Sequence, residues 1–250
     1  MGKLANKVAV VTGASKGIGA AIARHLAAEG AAVVVNYSKS REGADRVVRD
    51  IVSAGGKAIA VGANLAIETE IAKLFEATKN HFGRVDILVN NAGVYTFAPI
   101  EAVTPELYNR MFNTNVLGLL LTTKAALPLF PSTGGSVVNI GSVASTLAPP
   151  SASLYAASKA AVDAITKVLA KELGPRKIRV NGVSPGLVAT EGYDAAGFTS
   201  SDFEKQGVAM TPLGRVGQPD DIALPVAYLA SEDARWITGE ILYASGGVAV

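Results

Sequence analysis

Among the seven tyrosines, Tyr155 alone has a lysine four residues on, in Tyr155-Ala156-Ala157-Ser158-Lys159, inside a stretch that reads as helix through Leu173. That spacing puts both side chains on one helix face. A free phenol titrates near pH 10, so it is a poor acid or base at neutrality unless a positive charge favours phenolate. An ammonium about 4 Å away, at an effective dielectric of about 20, supplies about 4 kcal/mol, or roughly three pKa units at most. Lys159 is therefore expected to bring Tyr155 close to neutrality. Ser142 follows the apolar run Ser136-Ile140, and its hydroxyl is suited to donate to a developing alkoxide. Together these groups suit interconversion of a carbonyl and an alcohol.

A second constellation lies near the N-terminus. The run Val8-Val11 passes into Thr12-Gly13-Ala14-Ser15-Lys16-Gly17-Ile18-Gly19, and helical spacing begins near Ile18. Glycines let a backbone turn sharply beside a pyrophosphate, and the free N–H groups at a helix start attract its charge. Gly13, Ser15, Lys16, Gly17, Ile18 and Gly19 are thus expected to cradle a dinucleotide. At the end of the second apolar run stand Asn36, Tyr37, Ser38 and Lys39, where an NAD-binding sheet carries a carboxylate on the ribose. With no acid there, Ser38, Lys39 and Lys16 are expected to hold a 2′-phosphate, and NADPH is the expected cofactor.

The elements that must position these groups alternate along the chain. Short β-branched runs at Val8-Val11, Ala32-Val35, Ala58-Val61, Ile87-Val89, Ser136-Ile140, Ile178-Val183 and Ile241-Tyr243 read as buried strands, and helical patterns such as Ile71-Leu74-Phe75-Thr78 lie between them. This rhythm predicts an α/β fold, one doubly wound parallel sheet of about seven strands with helices on both faces. Residues 107–129 read as one long helix, apolar around much of its circumference and so buried on more than one side. Residues 186–212, rich in Gly, Ser, Thr and Ala but carrying Tyr193, Phe198 and Phe203, read as an irregular substrate lid.

Composition narrows the classes. With 49% hydrophobic residues in 250, the chain has material for one large core, and a single domain spanning 1–250 is expected. A net charge of +2 without basic runs argues against nucleic acid or an anionic membrane as partner. The absence of cysteine favours a reducing compartment, the cytoplasm, and no run approaches the roughly 18 apolar residues of a membrane helix. His25 and His81 fall on separate helices, so no metal site is expected.

The motifs Thr12-Gly13-x-x-x-Gly17-x-Gly19, Asn90-Asn91-Ala92-Gly93, Asn115, Ser142, Tyr155-x-x-x-Lys159 and Pro185-Gly186 agree in order and spacing with one family. Over essentially its whole length the chain resembles the short-chain dehydrogenases/reductases. The resemblance implies Tyr155 as general acid in reduction and base in oxidation, Ser142 orienting the substrate oxygen, and Lys159 binding the nicotinamide ribose. Asn115 would hold a water in the proton relay. Asn91, Ala92 and Gly93 would line the cofactor cleft, and Pro185, Gly186, Val188 and Thr190 would fix the nicotinamide. Asn64, with Leu65 beside it, stands where the family usually has Asp facing adenine, and Ser245 replaces an Asp before Gly246-Gly247. A homotetramer is implied.

Within that resemblance the leading expectation is a carbonyl reductase or secondary-alcohol dehydrogenase acting on a small molecule. A 3-oxoacyl-carrier-protein reductase is the nearest alternative; an acidic carrier asks for a basic patch, with Lys205 and Arg215 as its candidates. A sugar dehydrogenase has little support from an apolar lid. A dinucleotide-sensing protein without catalysis is a further alternative, set against the presence of Ser142, Tyr155 and Lys159. Tyr95 and Phe97 are expected at the pocket; Tyr228, Trp236 and Tyr243 in the core or a subunit contact; Glu191 and Asp194 as solvated loop charges.

Overall fold

The computed structural model describes residues 2–195 and 197–249. Seven strands, β1 (Val8–Val11), β2 (Ala32–Tyr37), β3 (Lys57–Gly62), β4 (Ile87–Asn90), β5 (Gly135–Ile140), β6 (Ile178–Pro185) and β7 (Ile241–Ala244), form one sheet in the order β3-β2-β1-β4-β5-β6-β7. Every pairing is parallel. The chain reverses its direction of travel between β1 and β4, which opens a crevice at the carboxyl ends of those strands. All seven apolar runs read from the sequence are strands, each within two residues of its expected ends.

Among the described residues, ten helices connect and follow them: α1 (Gly17–Ala28), α2 (Arg41–Ser53), α3 (Glu68–Phe82), α4 (Pro105–Phe112), α5 (Gly118–Ala126), α6 (Ala144–Leu147), α7 (Ser153–Leu173), α8 (Glu191–Ala195), α9 (Asp202–Met210) and α10 (Pro219–Ala230). Strand residues alternate between two cores. Ala9, Val11, Val33, Val35, Ile87 and Val89 pack with Ile22 and Leu26 of α1, Val47 of α2 and Ile222 and Val226 of α10. Val10, Val34, Leu88 and Val137 point to the opposite face, against Leu74 and Phe75 of α3, Ala126 of α5 and Leu173 of α7. A strand buried on both faces needs apolar residues without alternation, which is what its sequence shows.

Three expectations change. The helix read over 107–129 is interrupted: α4 passes into a π-helical turn, Asn113–Leu117, before α5, and Leu127–Leu129 is a 3₁₀ turn. The wide turn coincides with Asn115, whose amide is hydrogen-bonded to the Val94 backbone. The segment 186–212 is not irregular throughout, because α8 and α9 lie within it. Ser201 caps α9, accepting from Glu204 N at 3.2 Å, a signal hidden by the small-residue composition around it. Tyr228, Trp236 and Tyr243 are not core: all three are exposed, Trp236 by 97%. Among the described residues, no helix is long and apolar enough to cross a membrane.

Candidate active site

The strand-to-helix turn after β1 is built by two glycines of positive φ, Gly13 (60°) and Gly17 (55°), a conformation that disfavours any side chain. Thr12 is its hub, with Oγ1 accepting from Asn91 N at 2.9 Å and Ala92 N at 3.0 Å. Asn91 returns the contact, donating Nδ2 to Thr12 O at 2.8 Å and Gly13 O at 3.1 Å. The loops after β1 and β4 are thereby locked together across the crevice, and Ala92 lies against Gly13. Helix α1 begins at Gly17 without a side-chain cap from Lys16; instead the Gly17 N–H donates to Glu191 Oε2 at 2.9 Å. Glu191 is exposed, as its sequence setting suggested, but it stands at the start of α8 and is bound to the turn. A carboxylate on this N–H shows that the turn accepts an anion, so its residues fit the diphosphate of a dinucleotide.

The neighbouring positions divide into supports and open groups. Asn36 is buried; its Oδ1 accepts from Gly13 N at 3.2 Å, and its Nδ2 donates to Val61 O and Ala63 O, each at 3.2 Å. Its amide shapes the turn. Tyr37 rests on Gly62. Lys16, Ser38 and Lys39 are exposed, and Ser15 and Ser40 both lie against Gly43, which brings the glycine turn beside the loop after β2. Asn64 accepts from Ala66 N at 3.1 Å through Oδ1, and Leu65 is buried against Gly118.

The reacting groups gather at the carboxyl end of β5. Lys159, only 6% exposed, donates from Nζ to Ile140 O at 2.8 Å and lies 5.9 Å from the Tyr155 ring centre. Burial lowers the Lys159 pKa to about 8, with Asp163 opposing the shift. Burial also raises the Tyr155 phenol, against a lowering hydrogen bond from Ser142. The expectation that Lys159 alone brings the phenol near neutrality is therefore corrected. The Lys159 ammonium donates to the Ile140 carbonyl, and burial is the largest influence on the phenol. Gly93 sits over this corner, where a Cβ would be 3.3 Å from Asn115 Oδ1 and 3.5 Å from Lys159 Nζ. Asn115, buried in the π turn, donates Nδ2 to Val94 O at 2.8 Å and to Ser158 Oγ at 3.1 Å.

Above these groups lies a cavity of about 590 Å³ lined mostly by apolar atoms. Tyr155 meets Tyr95 and Phe97 edge-on at 6.2 and 6.0 Å, and Phe97 meets Phe198 at 6.3 Å. Pro185, Gly186, Val188 and Thr190 line it too. Val188 pairs with Gly217, and Thr190 packs on Gly17. The Tyr95 hydroxyl donates to Gly192 O at 2.8 Å, tying α8 to the loop after β4. Sequence reasoning missed Asp163 as part of this corner; its place four residues beyond Lys159 was the available signal. Among the described residues, no group of three or more His, Asp or Glu side chains is arranged to hold a metal.

A doubly wound sheet with an anion-accepting turn at its crevice and a tyrosine, lysine and serine converging on one apolar cavity defines an oxidoreductase of the Rossmann type. The sequence model described as enoyl-(acyl carrier protein) reductase matches residues 13–249. An uncharacterized oxidoreductase of Methylorubrum extorquens is 59% identical over 99% of this chain and 100% of its own. A hydroxynaphthalene reductase-like protein of Metarhizium majus is 41% identical over 98% of this chain and 95% of its own. Among solved structures, the angucycline C-6 ketoreductase LanV with bound NADP superposes with a TM-score of 0.94, at 38% identity, over 99% of this chain and 97% of that one. The chain belongs to the short-chain dehydrogenase/reductase family.

Proposed function

We propose that this chain is an NADP(H)-dependent reductase of ketones carried on flat, largely apolar ring systems, with the reverse alcohol oxidation as its companion reaction. The observation that carries the reading is Tyr155 itself, whose ring closes the inner end of an aromatic-walled cavity beside Ser142, Lys159 and the glycine turn. Relatives named for hydroxynaphthalene and angucycline reduction support the ring-ketone class. Both cations that the carrier-protein alternative would call on are paired with acids, Lys205 with Asp202 at 3.0 Å and Arg215 with Asp221 at 2.6 Å, which weakens that reading.

NADPH supplies the hydride. Gly13, Ser15, Gly17, Ile18 and Gly19 would take its diphosphate, and Lys16, Ser38 and Lys39 its 2′-phosphate, with Asn36 and Tyr37 supporting that edge and Asn64 and Leu65 facing adenine. Asn91, Ala92, Gly93, Pro185, Gly186, Val188 and Thr190 would fix the nicotinamide end. Ser142 hydrogen-bonds the substrate oxygen, and Tyr155 gives its proton to that oxygen as the alkoxide forms. Lys159 makes the resulting phenolate less costly, and Asn115 holds the corner through which the phenol is reprotonated. The whole chain works as one domain in this reading, with residues 186–212 folding over the substrate. A chain without cysteine suits the cytoplasm.

The test is Tyr155→Phe together with NADPH consumption across fused-ring ketones, acyl thioesters and sugars. Turnover of the ring ketones should fall by roughly 10²- to 10⁴-fold with NADPH affinity retained. Unchanged turnover would refute Tyr155 as the acid, and a preference for thioesters or sugars would refute the ring-ketone class.

A further inference from the structure

Helix α7 presents Tyr155, Lys159 and Asp163 at successive steps of four residues, so all three share one face. Each meets a consecutive residue at the end of β5. Lys159 donates to the Ile140 carbonyl, Asp163 comes up to Gly141, and Tyr155 interacts with the Ser142 hydroxyl. At Gly141 there is no room for a side chain, because a Cβ would collide with Ser184 Oγ and stand 3.2 Å from Asp163 Oδ1. Both of those oxygens are buried, and neither has a hydrogen-bond partner among the described residues. A buried polar atom without a partner is costly, and native proteins retain few of them away from functional sites.

We infer that Asp163 is a positioning residue for the reaction: one helical turn behind Lys159, its carboxylate is the counter-charge of the buried ammonium and, with Ser184, braces the Gly141–Ser142 corner. A solvated surface acid does not account for the arrangement, since Oδ1 is shut away from water. The groups acting on Asp163 are Lys159 and Lys167 of its own helix and the Ser145 hydroxyl from α6, while the loop after β5 and strand β6 contribute the uncharged Gly141 and Ser184. The Ser145 hydroxyl gives its proton to Ser142 O at 2.9 Å, so the segment beside Asp163 holds the serine from a second side. Burial raises the Asp163 carboxyl and these neighbours pull it back.

The inference rests on Tyr155 and Lys159 being the reacting pair. Asp163→Asn keeps the shape and removes the charge. With the anion gone, both Lys159 and Tyr155 lose their protons more readily, so the high-pH limb of kcat/KM for ketone reduction should move down by about one pH unit. Asp163→Glu, which restores the charge, should return the limb to its wild-type position. A merely structural role lowers kcat at every pH and leaves the limb in place, which would overturn the inference. A second measurement needs no variant. In carboxyl ¹³C NMR of the wild-type protein, Asp163 should titrate above the ordinary aspartate range and sense a second inflection near the Lys159 pKa of about 8. A single inflection at the ordinary value would overturn it as well. If Tyr155→Phe retains turnover, the reaction itself is misread; if that variant is dead and the Asp163→Asn limb is unmoved, only the Asp163 assignment fails.

Discussion

Lys159 loses solvation on folding, and its titration should report this. The unfolded chain holds the lysine proton up to its usual 10.5, the folded protein only to about 8. Between those values the unfolded state binds more protons, so wild-type stability rises with pH across that window, whereas below pH 8 the full penalty is present. In Lys159→Met this contribution is absent. The stability difference between wild type and variant should therefore shift in favour of the wild type by at most about 3 kcal/mol between pH 7.5 and 10.5. Denaturant unfolding of both proteins at several pH values measures it, and the subtraction removes other titrating groups and the pH-independent loss of the Ile140 contact. A flat difference would mean that Lys159 keeps its ordinary pKa in the folded protein. The physical choice at this residue is between stability and function: a positive charge is kept in a dry corner beside the phenol at a cost to the folded state.

At the scale of elements, the start of α1 and the start of α8 compete for one ligand. Glu191 Oε2 occupies the Gly17 N–H at 2.9 Å, the donor that the proposed diphosphate would use. Glu191→Gln removes a negative charge worth about 0.3–1 kcal/mol at a helix N-terminus. NADPH should then bind about two- to five-fold more tightly, and the cofactor-free protein should be slightly less stable; fluorescence titration and thermal unfolding check the two halves. An unchanged or weaker affinity would show that the carboxylate does not oppose the cofactor. This contact also marks what sequence could and could not give. The strands were legible because residues such as Val10 and Val11 must be apolar on both faces of a parallel sheet, and Tyr155 with Lys159 because helical spacing is rigid. The π turn at Asn115 and the capping of α1 by Glu191 were not, since each depends on a partner distant in sequence, Val94 in one case and Gly17 in the other. Asp163 lay in view at the right spacing, but its meaning came only from Gly141 and Ser184 standing around it.

For the whole molecule, two groups of exposed apolar residues lie on opposite sides of the sheet. One comprises Tyr108, Leu117, Leu120 and Val168 on α4, the π turn, α5 and α7, the side of the sheet where α3 also packs. The other comprises Leu224 and Tyr228 of α10 with Trp236, Leu242 and Tyr243 at the β7 edge. A tetramer of dihedral symmetry is built from two different two-fold contacts, so two unrelated apolar faces are what it requires, whereas a simple dimer leaves one of them wet. We therefore expect a homotetramer of the 25.6 kDa chain. Trp236, the single tryptophan and 97% exposed in one chain, would then be both anchor and reporter. Its emission should be that of a buried indole at micromolar concentration and shift to the red on dilution as the second face opens. Trp236→Glu should halve the mass seen by light scattering while the face on α4, α5 and α7 still pairs, leaving a dimer. A wild-type protein that scatters as a monomer at micromolar concentration, or a Trp236→Glu variant of unchanged mass, would remove this face from the assembly.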